Sequence, residues 1–228
     1  MERRAWLEER RAAAEELYDR FHAATYDDDD STMTPTHRRF VAALIDSCPP
    51  GGTILDVPCG TGRYFGMVVA GGRHVVGVDQ SAGMLARARA KHENATLRKG
   101  RVEELEFDRE FDAAMCIDSM EYVGPEDWPR VLGNLRRAVR DRGLIYLTVE
   151  QVDAAEIADV FNEATLDGLP VVHGEHVGRG GGYHHYPTED QVAGWLADAR
   201  LEVVDEGRNS GRTYWYRHVL LRSPGDDR

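Results

Sequence analysis

The chain has 228 residues, of which 42% are hydrophobic, and this is enough for one α/β domain with its own core. Its formal net charge of −12 repels phosphate backbones, so a nucleic-acid partner is not expected. No run of about 18 apolar residues occurs and the N-terminus is too charged for a signal peptide, which predicts a cytoplasmic protein without a membrane partner.

The first 48 residues predict a helical cap. Residues 2–23 repeat apolar side chains with a period near 3.6, and glutamates alternate with the arginines, which favours packing on the domain over binding to a membrane surface. The acidic run Asp27–Asp30 predicts a solvated loop, with a site for a hard cation as the alternative. Pro35 suits the first turn of a second helix. The apolar positions of the first helix are Trp6, Leu7, Ala14, Leu17, Tyr18 and Phe21.

Residues 50–150 alternate between strand and helix patterns. Near-continuous apolar strands separated by helices are typical of a parallel sheet that is buried on both faces. Two further strands, Leu201–Asp205 and Tyr214–Leu221, close the chain. We therefore expect an α/β, Rossmann-like, mostly parallel sheet of seven strands with helices on both faces. The core strands are predicted at Thr53–Val57, His74–Asp79, Ala95–Arg98, Phe111–Ile117 and Leu144–Val149, and the core helices after Gly62, from Ser81 to His92 and from Glu126 to Val139.

Residues 151–186 interrupt this alternation and predict an insertion after the fifth strand. The segment contains a helical pattern and a glycine-rich stretch, which suit a mobile lid over a substrate, with a long surface loop as the alternative. After it, Thr188 and Gln191 form a capping box that opens a helix. We expect a single domain over residues 1–228, divided into a cap (1–48), a cofactor-binding core (50–150), the lid insertion (151–186) and a C-terminal helix with two strands (187–222).

Residues 54–64 predict a strand, a glycine turn and the start of a helix, an arrangement that brings backbone N–H groups close to a nucleotide-like ligand. Asp79 ends the next strand, 19 residues after Gly60, a spacing at which a carboxylate binds both hydroxyls of a ribose. A dinucleotide fingerprint needs a small third residue, but Phe65 occupies that position. Asp56, before the turn, suits a cation such as an ammonium or a sulfonium. An ordinary strand-turn-helix without a ligand is the remaining alternative.

Asp56, Gly60 and Gly62 resemble the first motif, D-x-G-x-G-x-G, of the class I S-adenosylmethionine-dependent methyltransferases. The resemblance implies that the cofactor is S-adenosylmethionine, that Asp56 holds its methionine ammonium and that Asp79 takes the ribose hydroxyls. Pro58 stands where the family usually has Gly or Ala. Because proline has no N–H, any donor that the family uses there is lost, although Pro58 is still expected at the cofactor.

Two further segments resemble the family where it surrounds the adenine. Gln80 and Met84 follow the ribose-binding acid, and Met84 is expected beside the adenine, with a plain core methionine as the alternative. Arg101 stands where an acid often accepts from the adenine amino group, and arginine has no acceptor. We therefore expect the backbone of Val102 at the adenine, with Glu103 next to it.

Residues 111–123 resemble the family's fourth strand and the turn after it, and the resemblance implies that this turn borders the methyl group. Asp118 and Ser119 of this turn are expected at the cofactor, and Tyr122 is expected at the methyl acceptor. Ligands of open α/β sheets bind at the carboxyl ends of strands, and Glu150 therefore becomes a further catalytic candidate.

His184 and His185 are the remaining catalytic candidates. Adjacent side chains of an extended chain point in opposite directions, so only one of the two should face the site as a base or a substrate clamp, and a surface or lid histidine is the alternative. With His173 and His176 they make an alternative metal site. No helical register organises these histidines, and no metal is expected.

These observations predict an enzyme that transfers a methyl group from S-adenosylmethionine to an oxygen or nitrogen of a small molecule, with a secondary metabolite as one candidate. Carboxylates near the site suit an amine acceptor, whereas the histidine pair suits a hydroxyl. A nicotinamide-dependent oxidoreductase and a non-catalytic S-adenosylmethionine-binding protein are the alternatives. The pattern is compatible with a monomer or a homodimer.

Overall fold

The computed structural model describes residues 2–28, 33–178, 182–210 and 214–225. Its centre is a seven-stranded sheet in the order β3-β2-β1-β4-β5-β9-β8. The five strands β1 to β5 pair in parallel, and β9 pairs antiparallel with β5 and with β8. The predicted Rossmann-like sheet is therefore confirmed. The strands of this sheet are β1 (Thr53–Asp56), β2 (His74–Asp79), β3 (Thr96–Lys99), β4 (Phe111–Cys116), β5 (Val139–Val152), β8 (Glu202–Ser210) and β9 (Tyr214–Arg222).

Helices cover both faces of the sheet, as the near-continuous apolar strands predict. Successive residues of β4 face opposite sides of the sheet. Ala114 packs in the hydrophobic core on the side of α6 and α8, and Met115 packs in the core on the side of α3 and α4. The helices of the domain are α3 (Pro35–Ser47), α4 (Phe65–Ala70), α5 (Ala82–Lys91), α6 (Trp128–Ala138) and α8 (Glu189–Asp198).

Local sequence signals explain where several of these helices begin. The Ser81 hydroxyl accepts from the Met84 N–H at the start of α5, and Thr188 with Gln191 forms the predicted capping box at the start of α8. Pro35 is in the first turn of α3, as predicted. Thr34 and His37 form a second capping box at this helix, which the sequence pattern did not reveal because histidine replaces the usual Glu or Gln.

The N-terminal segment lies over the carboxyl edge of the sheet. It consists of α1 (Arg3–Leu17), a π-helical turn (Tyr18–His22) and the short α2 (Ala23–Thr25). Trp6 and Leu7 are buried, but Phe21 is 66% exposed, so the predicted apolar stripe does not continue that far. The π turn rotates the helix relative to a regular 3.6-residue period, which explains the difference.

The insertion after β5 contains α7 (Ala154–Leu166) and a small antiparallel hairpin of β6 (Glu175–Val177) and β7 (Tyr183–His185). The sequence did not predict this hairpin, because strands of three residues are too short to show an alternating pattern. Residues 179–181, which include Gly180 and Gly181 of the glycine-rich stretch, are outside the described part of the chain. None of the described helices has the length and apolar character needed to cross a membrane.

Candidate active site

A cavity opens between α1 and the carboxyl ends of β1, β2 and β4. The strand order reverses between β1 and β4, and this switch point is where open α/β sheets bind ligands. Of the residues expected at a cofactor, those that line the cavity are Pro58, Gly60, Asp79, Gln80, Met84, Val102, Glu103, Asp118 and Ser119. Tyr122, expected at the acceptor, lines it as well.

The glycine loop after β1 points its backbone at the acid that ends β2. The Gly60 N–H donates to Asp79 Oδ2 at 2.8 Å, and the Ser81 N–H donates to Asp79 Oδ1 at 2.8 Å. Gly60 has φ +52°, a conformation that favours glycine. Asp79 is thereby fixed in the cavity wall with lone pairs left over on both oxygens, which suits acceptance from two neighbouring hydroxyls.

Burial raises the pKa of Asp79, although the N–H groups of Ser81 and Gly60 oppose this rise. Asp56 is more extreme: it is 1% exposed, and its Oδ2 has no hydrogen-bond partner among the described residues. Burial and the nearby charge of Asp79 raise the pKa of Asp56 well above its usual range. A buried acceptor without a partner is costly, so a ligand that supplies a donor or a positive charge fits this position.

Two residues of the first motif lie outside the cavity wall. Asp56 lies at the end of β1 and is not among the residues that line the cavity. Gly62, also expected at the cofactor, is not among the residues that line the cavity, and an added Cβ there would lie 2.8 Å from the Phe65 ring and 3.0 Å from His92. Gly62, with φ +74°, instead lets the loop pack against α4.

The N-terminal segment supplies a wall that the sequence did not predict. Tyr18 and Tyr26 line the cavity, and the Tyr18 hydroxyl is 2.8 Å from the hydroxyl of Tyr122. Asp19 fixes this segment to the start of α5: its Oδ1 accepts from the Gly83 N–H at 2.9 Å and from the Ser81 hydroxyl. An amphipathic helix pattern signals a packed helix but not what it covers, and these contacts were therefore invisible in the sequence. The other lining residues from α1 are Leu7, Arg10, Arg11 and Ala14.

The wall beyond β3 carries paired charges. Arg101 and Glu103 line the cavity there, and Arg11 Nε lies 3.3 Å from Glu103 Oε1. Arg101 Nη1 donates to Glu8 Oε1 at 2.6 Å, so this arginine is neutralised from α1. Val102 and Glu103, the two residues of this segment expected at the adenine, both line the cavity.

Buried carboxylates and tyrosines follow the ends of β4 and β5. Glu121 Oε1 accepts from the Tyr216 hydroxyl at 3.2 Å, while Glu121 Oε2 has no partner among the described residues. Burial, together with the charges of Glu150 and Asp118, raises the pKa of Glu121 well above its usual range. Burial raises the pKa of Glu150 to about 7, with Asp118 and Glu156 adding to the rise.

The histidine pair is split, as expected for neighbours in an extended strand. His184 Nδ1 lies 3.0 Å from the Tyr186 hydroxyl and 3.8 Å from Glu150 Oε2, and its ring meets the Tyr122 ring at 5.0 Å between centroids. Burial lowers the pKa of His184 to about 4. The side chain of His185 points the other way, is fully buried and packs against Trp195.

The structure therefore places His185 in the core and away from the cavity lining, and His184 is the member of the pair that lies near Tyr122 and Glu150. The alternative metal site does not assemble. His173 packs on Phe161, and no group of three or more His, Cys, Asp or Glu converges within the described ranges.

Comparison with known proteins agrees with this geometry. A family model described as a methyltransferase domain matches residues 54–143, the segment that holds the glycine loop, Asp79 and Asp118. Malonyl-acyl-carrier-protein O-methyltransferase of Pectobacterium atrosepticum is 31% identical over 116 residues, which are 50% of this chain and 45% of that protein. Ubiquinone biosynthesis O-methyltransferase of Xanthomonas axonopodis is 26% identical over 206 residues, 84% of this chain and 78% of that protein. The chain spans about half the length of several of the curated relatives that it matches.

The fold has close counterparts among solved structures. Magnesium protoporphyrin IX methyltransferase from Synechocystis PCC 6803, solved with bound SAH, superimposes with a TM-score of 0.69 at 18% identity, covering 93% of this chain and 99% of that chain. The matched domain and the curated relative are both methyltransferases, and the solved structure shares the fold of this chain. Residues 54–143 therefore match a methyltransferase domain, and the whole sheet has the fold of solved S-adenosylmethionine-dependent methyltransferases.

Proposed function

We propose that this protein transfers a methyl group from S-adenosylmethionine to an oxygen or nitrogen of a small metabolite. The observation that carries the proposal is Asp79, fixed by the N–H groups of Gly60 and Ser81 in the wall of a cavity at the switch point of the sheet. A carboxylate held in this way suits a ribose diol and has no role in core packing.

Within this cavity we assign residues to the parts of the cofactor. Asp79 binds the ribose hydroxyls, Val102 and Glu103 contact the adenine, and Asp118 with Ser119 borders the methyl end. Asp56, with its unpartnered buried oxygen, stabilises the methionine ammonium from behind the wall. When bound, S-adenosylmethionine supplies an electrophilic methyl group, and the protein has to position the acceptor and receive any proton that leaves.

The acceptor is assigned to the space next to Tyr122, His184 and Glu150. A pKa of about 4 leaves the His184 imidazole neutral at pH 7, and a neutral imidazole accepts a proton. Glu150, with a pKa of about 7, is partly ionised at the same pH and lies 3.8 Å from His184. Glu150, whose pKa lies near the working pH, is the better matched base for an acceptor that must lose a proton, whereas His184 is neutral and more weakly basic and suits contact with the acceptor.

Residues 151–186 are proposed as the lid that selects the acceptor. The segment leaves β5 at Val152, beside Glu150, and its hairpin packs on α1 through Trp6 and Tyr183, whose ring centroids are 5.7 Å apart. An acceptor enclosed by α1 and this hairpin must be small, and the net charge of −12 disfavours nucleic acid.

The proposal is tested with S-adenosylmethionine carrying a labelled methyl group and a panel of amines, phenols and carboxylic acids. Label should appear in an organic product, and His184→Ala should lower turnover by roughly 10²–10⁴-fold without a matching loss of cofactor affinity if His184 is the base. Arg4→Ala, an exposed change on α1, serves as the control and should keep full turnover. Binding of S-adenosylmethionine without label transfer to any acceptor would favour the non-catalytic alternative, and saturable binding of NAD would favour an oxidoreductase.

A further inference from the structure

Asp118 is fixed at the end of β4 by contacts from two neighbouring elements. Its backbone N–H donates to Thr148 Oγ1 at 2.6 Å, and Thr148 Oγ1 donates in turn to Asp118 Oδ1 at 3.2 Å. His37 Nε2 lies 3.2 Å from the same Oδ1. The residue has φ +48°, a conformation that is uncommon for a side-chain-bearing residue and occurs mostly in Asn, Asp and His. The carboxylate is therefore held in one orientation in the cavity wall.

The tautomer of His37 follows from its second contact. The Thr34 N–H donates to His37 Nδ1 at 3.2 Å, and the Thr34 hydroxyl lies 2.9 Å from the same nitrogen. Because Nδ1 accepts, the proton of a neutral ring is on Nε2, which donates to Asp118 Oδ1. His37 is 1% exposed, so no water competes for this bond. Asp118 Oδ2 makes no hydrogen bond with the described residues and is left for a ligand.

The charges of the cavity wall are unevenly distributed. The lining arginines Arg10 and Arg11 come from α1, and Arg101 follows β3. Asp118 follows β4, which is three positions away from β3 in the sheet, about 14 Å at the usual strand spacing. The acids that act on the same region as Asp118 are Glu121 and Glu150. Arg63 is the cation on this side: its guanidinium lies over the Tyr26 ring, and it acts on Tyr26 and Tyr64 together with Asp118.

We propose that Asp118, positioned by His37, is the group by which this site prefers the sulfonium cation of S-adenosylmethionine to the neutral thioether of S-adenosylhomocysteine. The inference rests on the proposed function, since it assumes that the methyl end of the cofactor lies at Asp118. A fixed carboxylate in a partly buried wall attracts a cation strongly and a neutral sulfur hardly at all. The attraction disappears once the methyl group and its charge have left, which promotes release of the product.

The test is calorimetric titration of S-adenosylmethionine and of S-adenosylhomocysteine into three proteins: wild type, Asp118→Asn and His37→Gln. Asparagine tolerates the positive φ and keeps the shape of the side chain, so Asp118→Asn removes only the charge. The ratio of the two dissociation constants, S-adenosylhomocysteine over S-adenosylmethionine, should fall about tenfold in Asp118→Asn and several-fold in His37→Gln. The affinity for S-adenosylhomocysteine should change little.

Two variants separate the contact of His37 with Asp118 from its role in the capping box of α3. Glutamine is the usual partner in a capping box, so His37→Gln keeps the start of α3 while removing the bond to Asp118. Thr34→Ala does the reverse: it removes the capping hydroxyl and keeps the imidazole next to Asp118. The ratio of dissociation constants should stay at the wild-type value in Thr34→Ala.

A ratio that is unchanged in Asp118→Asn overturns the proposal. An equal loss of affinity for both ligands in His37→Gln overturns the positioning role, because structural damage does not distinguish a cation from a neutral ligand. If neither ligand binds to the wild-type protein, the cofactor assignment itself fails and this inference fails with it, whereas normal binding with an unchanged ratio leaves the proposed function intact.

Discussion

Asp79 accepts two backbone hydrogen bonds and lines the cavity, and it is the residue on which cofactor affinity should depend most. Replacing it with alanine removes the charged acceptor and leaves the N–H groups of Gly60 and Ser81 without partners. Because a hydrogen bond to a charged group is worth about 1.5–3 kcal/mol, Asp79→Ala should weaken binding of S-adenosylmethionine by roughly tenfold to a hundredfold. Isothermal titration calorimetry measures this directly, and an unchanged affinity would remove Asp79 from the site.

Gly62 of the first motif and Gly66 of α4 differ in what a methyl group at the Cβ position would meet. At Gly62 an added Cβ would clash with Phe65 and require φ +74°, so Gly62→Ala should lower the free energy of unfolding by about 1–3 kcal/mol. Gly66 in α4 has open space around its Cβ position, and Gly66→Ala should raise the same free energy by up to about 1 kcal/mol. Urea unfolding of both variants gives the comparison, and equal stabilities would contradict the packing role of Gly62.

Glu150 should make stability depend on pH. Its folded pKa of about 7 is raised above the ordinary 4.5 by burial, so the folded state retains a proton that the unfolded state releases. The stabilisation is present in full below pH 4.5 and is lost as pH rises through about 7. The pKa of His184 is lowered to about 4, so its contribution to the free energy of unfolding rises with pH between about 4 and its ordinary 6.5. The two contributions oppose each other, and the pH dependence of the wild type alone does not show that of Glu150.

Comparison with Glu150→Gln isolates the contribution of this carboxyl. The free energy of unfolding of wild type relative to the variant should fall by roughly 1–3 kcal/mol as the pH is raised from 4.5 to 7. Denaturant unfolding at several pH values measures this difference. A difference that stays constant, or that grows with pH, would show that Glu150 is not a buried carboxyl of raised pKa.

At the residue level the sequence predicted the acids that end strands and missed the groups that hold them. Asp79 could be found because its distance from Gly60 is set by one strand-helix-strand unit. His37 could not be found, because it is 81 residues from Asp118 in sequence and only the packing of α3 on the sheet brings the two together. His185 was chosen for its neighbour His184, and strand alternation directs it into the core instead.

A buried ion pair connects α1 to the hairpin of β6 and β7. The guanidinium of Arg3 donates to both carboxylate oxygens of Glu175 at 2.9 and 2.7 Å, and the Tyr183 hydroxyl donates to Glu175 at 2.6 Å. The side chain of Glu175 is fully buried. A buried charge that loses its partner is strongly destabilising, so this pair should couple the two elements.

Arg3→Leu tests the coupling of α1 to the hairpin. The change leaves Glu175 uncompensated and should lower the free energy of unfolding by about 2 kcal/mol, since Arg3 is partly exposed and solvent weakens the pair. Backbone amides of the hairpin should then exchange with deuterium faster than in wild type. The neighbouring change Arg4→Leu, on the exposed side of α1, is the control and should alter neither quantity. Equal exchange in Arg3→Leu and wild type would show that α1 and the hairpin are independent.

How well each helix or strand could be predicted depends on its length and on its sequence pattern. The five parallel strands and α5 to α8 were predicted within a few residues, because each has either continuous apolar character or a capping signal. β5 and β8 run past their predicted ends, because residues 150–152 of β5 and 206–210 of β8 pair with β9 without needing a continuous apolar pattern. β5 also begins earlier than predicted, at Val139, which pairs with Phe111 of β4. The hairpin in the insertion depends on contacts with α1, such as Trp6 with Tyr183, and a local pattern does not encode them.

For the molecule as a whole, the proposed cofactor site lies under two segments that flank the core in sequence, α1 before it and the insertion after it. The parallel strands bring Gly60, Asp79 and Asp118 to one edge, and α1 with the insertion encloses them. The sequence predicted the edge from the sheet pattern and the family resemblance. It did not predict that Tyr18 of the cap would reach Tyr122, because the docking of α1 depends on tertiary contacts such as Asp19 at the start of α5.

The most direct test of the account is an NMR titration of the ¹⁵N-labelled protein with S-adenosylmethionine. We expect saturable shifts of the backbone amides of Gly60, Ser81 and Val102, which lie at the cavity. The amides of β8, at the far edge of the sheet, should stay unchanged, and NAD should cause no saturable change. Saturable binding of S-adenosylmethionine that leaves the amides of Gly60, Ser81 and Val102 unshifted would contradict the assignment of this cavity as the cofactor site.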